Sequence, residues 1–287
     1  MDKLWLYEEN ETEFVADESK LKEKANQILE NKKLIEKIVK ENGVSSSEEE
    51  RFEVMSGISS VLLENKEIRD EMPPYQELSE NNLNIMSGFF KASELLNDML
   101  KKEPYLYTDM LPFLQRCLVE VDENIADRDK GKFRDAYSDT IQIGYFTPTK
   151  GEDVRKEMNL ALCHYGYVDK KSPEQEAILK NFINTAKLHA QIVRIQPFMD
   201  GNKRIAFLTT NAMLQLSGLA PIILCETDAD QEKYTTALKT AIVGRDVTLL
   251  ADHIMDNELK RQQSILDRQI VKKLHDKIST DSSELKR

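Results

Sequence analysis

The chain has no apolar run of about 18 residues and no signal-like start, so a membrane span or export lacks support. Its three cysteines, Cys117, Cys163 and Cys225, are scattered and odd in number. They form no Cys-x-x-Cys unit and have no histidine at metal-ligand spacing, which reads as reduced, buried thiols of a cytoplasmic protein. Basic residues are also short: 40 Lys and Arg stand against 51 Asp and Glu, for a net charge of −11 and a pI near 5.1. That balance opposes extended contact with DNA or RNA, whose affinity rests on neutralising phosphates. It does not oppose a nucleotide, which needs only one local positive pocket. No internal repeat is found.

What is present is enough apolar material for a core, 40% of 287 residues, set mostly at helical spacing. The length suits one large or two modest domains of roughly 150 residues each. Residues 18 to about 41 predict a charged amphipathic helix with Leu21, Ala25, Ile28, Leu29 and Ile35 on one side. Ser45–Ser47 followed by Glu48–Glu50 predict a helix start, running to about Ile68. Further helices are expected at about 80–101, 107–122, 151–165, 173–195, 202–217, 228–243 and 246–277, with a frayed polar tail after Ser279. Short extended pieces fit Leu4–Tyr7 and Phe14–Val15. Thr140–Phe146 alternates with period two and is the strongest strand signal.

The stretch Arg194–Phe207, Arg-Ile-Gln-Pro-Phe-Met-Asp-Gly-Asn-Lys-Arg-Ile-Ala-Phe, carries the most chemistry. Pro197 bars the first helix from continuing, and Gly201 with Asn202 suits a tight turn into the next. A helix start offers unpaired N–H groups and a positive dipole end; beside Lys203 and Arg204 it makes an anion site, with phosphate the expected ligand. Asp200 offers a hard oxygen to Mg²⁺, Gly201 allows close backbone approach, and Asn202 can donate to phosphate or cap the helix. Each has a plainer use, as turn, cap or solvated side chain. An Arg in a helix's first turn opposes the dipole, a local conflict typical of functional sites. Ile195 and Phe198 read as core anchors, and His189 as a core histidine with satisfied hydrogen bonds.

This stretch resembles the signature of the Fic (Fido) family, His-x-Phe-x-Asp/Glu-Gly-Asn-Gly/Lys-Arg. Phe198, Asp200, Gly201, Asn202, Lys203 and Arg204 match, while Gln196 stands at the family's histidine. The resemblance implies an all-α, mostly helical Fic fold: a helical core with a short β-hairpin flap and extra N-terminal helices. It divides the chain into an N-terminal helical region 1–104, a Fic domain 105–250, and a C-terminal helix and polar tail 251–287. It implies ATP (or another nucleotide) with Mg²⁺ as cofactors. A protein target, the chain itself included, is the implied partner, with no nucleic acid and no membrane; homo-oligomerisation stays open. Gly131–Pro148 resembles the segment leading into the flap, so Ile143, Gly144, Tyr145, Phe146 and Thr147 are candidate target-docking residues. Ser60, Glu64 and Asn65 match the family's inhibitory pattern, on the helix expected at 47–68, in which the glutamate reaches into the nucleotide site.

Two departures matter. The family's histidine takes a proton from the attacking hydroxyl; Gln196 has no titratable nitrogen and cannot act as general base. Losing a base costs typically about 10²–10⁴-fold in rate. Lys203 for glycine, and Phe207 where the family often has a second arginine, lean toward the Doc-like branch associated with phosphoryl transfer. The expectation is a nucleotide-binding Fic relative of AMPylating ancestry with low or conditional activity. A Doc-like phosphotransferase and a non-catalytic regulatory or interaction protein are the alternatives.

Overall fold

The computed structural model describes residues 13–42, 80–122, 125–138, 141, 143 and 145–284. The inhibitory helix expected at 47–68, with Ser60, Glu64 and Asn65, lies outside them, as do Leu4–Tyr7, Ser45–Ser47 and Gly144.

The architecture is helical: α1 (Glu18–Asn42), α2 (Glu80–Lys102), α3 (Met110–Val119), α4 (Val154–Tyr165), α5 (Glu174–Ile195), α6 (Asn202–Leu216), α7 (Asp228–Gly244) and α8 (Thr248–Glu284). Most starts are locally explained. Glu18 opens α1 and Glu174 and Glu176 open α5, acidic groups at the positive end of the dipole. Thr227 caps α7 by accepting from Asp230 N–H. Helix α3 is shorter than the 107–122 expected, because its entrance is a turn in which Met110 N–H donates to Tyr107 O and Leu111 N–H to Thr108 O. At its far end Asp122 N–H donates to Val119 O and closes another turn. Gly151–Asp153 forms a 3₁₀ turn ahead of α4. Helix α8 continues past Ser279 to Glu284, beyond the polar tail expected to fray.

The strand expected over 140–146 is not found among the described residues. They show one antiparallel bridge between Ile143 and Phe146, closed by Phe146 N–H to Ile143 O at 3.2 Å. The alternation reflects a turn with one inward anchor: Phe146 packs on the core while Tyr145 is exposed. Near the chain's start, Val15 makes a parallel bridge to Asp246, donating to Arg245 O and accepting from Val247 N–H.

Helix α5 is the axis of the fold. It buries Phe182, Ile183, Ala186, Leu188, Ile192 and Ile195 on several sides, leaving only its first turn and a stripe through Lys180, Asn184, Lys187 and Arg194 partly open to water. Helices α1, α4, α6, α7 and α8 all pack on it. Helix α6 is nearly as enclosed, and α2 and α3 pack on it from outside. Phe207 is fully buried there and stacks on Phe89 of α2, with ring centroids 5.2 Å apart. The expectation of three buried thiols is corrected: Cys225 is buried, Cys117 half-buried and Cys163 exposed on α4, whose amphipathic stripe does not include position 163.

His189 is fully buried between α6 and α7, with Nδ1 2.9 Å from Thr210 Oγ1 and Nε2 2.8 Å from Tyr234 Oη. Thr210 Oγ1 already donates to Ala206 O, so it accepts from Nδ1–H and leaves Nε2 to accept from tyrosine. Burial depresses its pKa from 6.5 to about 3, so the imidazole is neutral in the fold. The unfolded chain takes up this proton below its ordinary pKa, so the contribution to stability is lost as pH falls from about 6.5 toward 3. Urea unfolding of wild type and His189→Asn across that range is expected to show a steeper loss of stability in wild type.

Candidate functional site

Helix α5 ends in a residue with an uncommon backbone. Gln196 caps it at φ 51°, ψ 64°, a left-handed conformation that only glycine adopts without strain. Such a residue costs on the order of 1–3 kcal/mol and persists only when its surroundings over-determine it. They do so here. Gln196 N–H donates to Ile192 O at 3.0 Å, and its Nε2 donates to Val193 O at 2.6 Å. Its Oε1 accepts from Asn202 Nδ2 at 2.8 Å. The side chain is folded inward and buried, engaged at both ends.

Asn202, the first residue of α6, closes the loop. Its Oδ1 accepts from Phe198 N–H at 2.9 Å, and its Nδ2 donates to Phe198 O and to Gln196 Oε1, each at 2.8 Å. Both amide hydrogens are committed to the loop. Gly201 precedes it at φ 82°, where a Cβ would have room but the backbone would be strained. Phe198 is fully buried and stacks on Phe133 at 5.0 Å.

Three residues that sequence reasoning did not name hold this loop in place. Arg134 is buried; its Nε donates to Gln196 O at 2.6 Å and its Nη2 to Ile195 O at 3.0 Å and Thr149 O at 2.7 Å. Its own N–H donates to Pro197 O at 2.8 Å. Burial lowers its pKa from the usual arginine value, while the negative dipole end of α5 favours its charge. Gln115 of α3 is fully buried, accepting from Gly131 N–H at 2.6 Å and donating to Asp200 O at 3.2 Å. Gly131 sits at φ 72°, with Arg116 Cβ and Pro112 O about where a Cβ would press. Phe133, beside Arg134, supplies the stack on Phe198. Arg134 and Phe133 fall within the stretch resembling the flap approach, but residue type alone does not show a side chain turned inward.

The charged members of the motif divide. Arg204 is only 2% exposed, and its Nη1 donates to Leu118 O at 3.0 Å near the C-terminal end of α3. Its Nη2 lies 3.4 Å from Asp200 Oδ2. The Asp200 carboxylate is 44% exposed, and Lys203 is half-buried with its charge felt by the Cys225 thiol. Asp200 and Lys203 are therefore the solvent-facing part of the motif, with Arg204 as a charged brace beneath. No cluster of three or more His, Cys, Asp or Glu among the described residues could hold a metal alone. The single carboxylate of Asp200 still fits Mg²⁺, which takes one or two carboxylates and completes its shell with phosphates and water. Of the flap residues, Ile143 and Phe146 are half-buried; Tyr145 and Thr147 are exposed, and Lys239 lies 5.7 Å over the Tyr145 ring. His189 and His253 are buried in hydrogen bonds elsewhere, and His164 is exposed on α4. None of these three is bonded to the motif loop.

Residues 109–214 match the Fic/DOC family. The chain is 30% identical over 175 residues to protein adenylyltransferase fic-1 of Caenorhabditis briggsae, spanning 60% of this chain and 31% of that protein. It is 29% identical over 143 residues to protein adenylyltransferase Fic of Nematostella vectensis, spanning 49% of this chain and 30% of that one. It thus spans about a third of the length of these curated relatives. The solved structure of Fic-1 from C. elegans superposes with a TM-score of 0.64 at 18% identity, covering 88% of this chain and 74% of that one. A Fic-domain signaling protein from Bacteroides thetaiotaomicron gives 0.63 at 17% identity, covering 84% and 95%. These structural likenesses establish the Fic fold. No helix among the described residues is long and apolar enough to cross a membrane.

Arg134→Ala removes the donors that meet Gln196 O, Ile195 O and Thr149 O, so it is expected to cost about 3 kcal/mol or more, read by chemical denaturation. Lys132→Ala, on the same segment but exposed, is expected to change stability by less than about 0.5 kcal/mol.

Proposed function

We propose that this chain binds the phosphates of ATP at the start of α6 and descends from protein AMPylating enzymes, with low or conditional transfer activity of its own. The observation that carries this reading is the split within the motif. Its loop keeps the fold that brings the exposed Asp200 carboxylate and the half-buried Lys203 to the start of α6, while the position that would supply the base is a glutamine tied into the loop. The adenylyltransferase relatives support ATP as the nucleotide and a protein hydroxyl as the acceptor class.

In this reading the N–H groups at the start of α6 and the Lys203 ammonium receive phosphate oxygens. Asp200 holds Mg²⁺, which neutralises phosphate charge when bound. Arg204, braced by Leu118 O, adds fixed positive charge below Asp200. Gly201 and Asn202 shape the turn, Asn202 through its bonds to Phe198 and Gln196. Ile143, Gly144, Tyr145, Phe146 and Thr147 are the residues at which a target segment is positioned. The Ser60, Glu64, Asn65 pattern acts as the inhibitory element, and use of ATP fits a cytoplasmic location. With Gln196 unable to accept a proton, positioning and electrostatics remain and general-base catalysis does not.

Calorimetry with MgATP is expected to give a dissociation constant between micromolar and sub-millimolar; no heat at millimolar nucleotide rejects the reading. Lys203→Ala is expected to weaken binding about tenfold or more, the value of one charge-assisted contact. Gln196→His together with Glu64→Gly is expected to yield self-modification of roughly 329 mass units for AMP, or roughly 80 for a phosphoryl group, by intact-mass measurement. The smaller adduct would select the Doc-like phosphotransferase.

A further inference from the structure

The turn at Ile143–Phe146 has a cation of α7 held beside it. Phe146 packs on the core, and its ring lies 5.3 Å from that of Tyr145, which stays outside and 40% exposed. The turn between them is closed by Phe146 N–H to Ile143 O. Helix α7 buries Tyr234, Ala237, Leu238, Ala241 and Ile242, a stripe that leaves Lys239 on the exposed side. The Lys239 ammonium lies 5.7 Å over the Tyr145 ring, within range of a cation–π attraction. A long surface side chain is thereby held at the flap.

No acid among the described residues pairs with this ammonium, which makes neither an ion pair nor a hydrogen bond there. The nearest acid before it on α7 is Glu232, seven residues away and so about 10 Å along the helix axis. Asp230, further back, is paired with Lys260 at 3.1 Å. On the flap side Ile143 and Tyr145–Thr149 are uncharged. Burial raises the Tyr145 pKa, so the phenol stays neutral and is no counter-ion. The ring occupies one side of the ammonium, whose other N–H donors stay open to a carboxylate.

We propose that Lys239 selects the target: the chain takes hydroxyl-bearing segments with a glutamate or aspartate near the acceptor, and that carboxylate pairs with Lys239 over Tyr145. This rests on the target-docking reading given above and names the chemical class of the partner. An extended segment along Ile143–Phe146 sends alternate side chains to opposite sides, so one set can face α7 and Lys239. Tyr145 is a positioning residue, keeping the ammonium at the flap through its ring and not its hydroxyl. The overall charge of −11 repels acidic partners at a distance, so the preference is one of close contact.

The test uses the full chain and two synthetic serine peptides of equal length, one with glutamate around the serine and one with glutamine in the same places. Each is titrated at fixed ionic strength and followed by the Tyr145 ring resonances. The glutamate peptide is expected to shift those resonances and to bind about fivefold more tightly, the value of one partly exposed charge pair. Lys239→Gln is expected to remove the preference and Lys239→Arg to keep it. Tyr145→Phe is expected to keep it as well, and Tyr145→Leu to lose most of it, which separates a held ammonium from a general effect of charge. Equal affinities in wild type, no binding of either peptide, or a preference that survives Lys239→Gln or Tyr145→Leu overturns the proposal. MgATP calorimetry on the same samples separates the two readings. Heat from ATP with no peptide preference overturns this inference alone; a preference without heat from ATP overturns the nucleotide reading and leaves Lys239 as a docking residue.

Discussion

One guanidinium governs the geometry of the motif. The chain must leave α5 at Gln196 in a left-handed conformation, and proline follows at once, so no continuation of the helix can satisfy the last carbonyls. Arg134 satisfies them, gathering Ile195 O and Gln196 O on one side chain while its N–H takes Pro197 O. The same side chain reaches Thr149 O, so the loop and the segment before α4 are fastened at one point. A lysine would carry the charge but not the planar fork that meets carbonyls in two directions. The stack of Phe133 on Phe198 then fixes the loop from the apolar side. Every later feature, the start of α6 and the exposure of Asp200 and Lys203, depends on where this turn puts the chain.

Gln196 is informative in that setting. Its amide donates at one end and accepts at the other, functions available to a glutamine without titration. The loop therefore does not need a histidine to hold its shape. On the proposed reading the anion-binding half and the proton-transfer half of the motif are separable in energy: the first would rest on helix dipole, Lys203 and the brace of Arg204, the second on one titratable nitrogen that Gln196 lacks. Phe207 shows the same separation. Fully buried and stacked on Phe89, it belongs to the α2–α6 contact. An arginine there would have to carry its charge out of that apolar contact or displace α2.

Much of this is legible in the sequence, for identifiable reasons. Helices α1, α2, α5, α6 and α7 are readable because period 3.6 in apolar residues coincides with acidic first turns, with Pro173 and Pro197, and with Gly201. The motif is readable because its residues are adjacent in sequence. What escapes is long-range. Arg134 and Gln115 act on the loop from 62 and 85 residues away, and no local pattern marks a buried Arg or Gln. The period-two run at 140–146 predicts a strand, whereas the described residues there show one antiparallel bridge, because alternation records which side chains point inward and not whether a neighbour is present to pair. The exposed Cys163 escapes for a similar reason: composition sets a compartment, whereas burial is set by which stripe of α4 faces α5.

The depth of Arg204 has a further consequence for the charge balance. A guanidinium only 2% exposed, bonded to Leu118 O and close to Asp200, cannot be neutralised by solvent ions as a surface arginine would be. Its field is delivered through low-dielectric surroundings to the Asp200 carboxylate, the partly exposed acid of the motif. The carboxylate's charge is thus partly offset from below. That combination favours an ion pair with a hydrated cation that arrives with its own anions, and disfavours a free metal held by protein alone. The chain's excess of negative charge works in the same direction. At −11 overall, the protein repels a bare polyanion at long range, so on the proposed reading a nucleotide would rely on the short-range positive set of Lys203, Arg204 and the α6 dipole, with Mg²⁺ offsetting its charge.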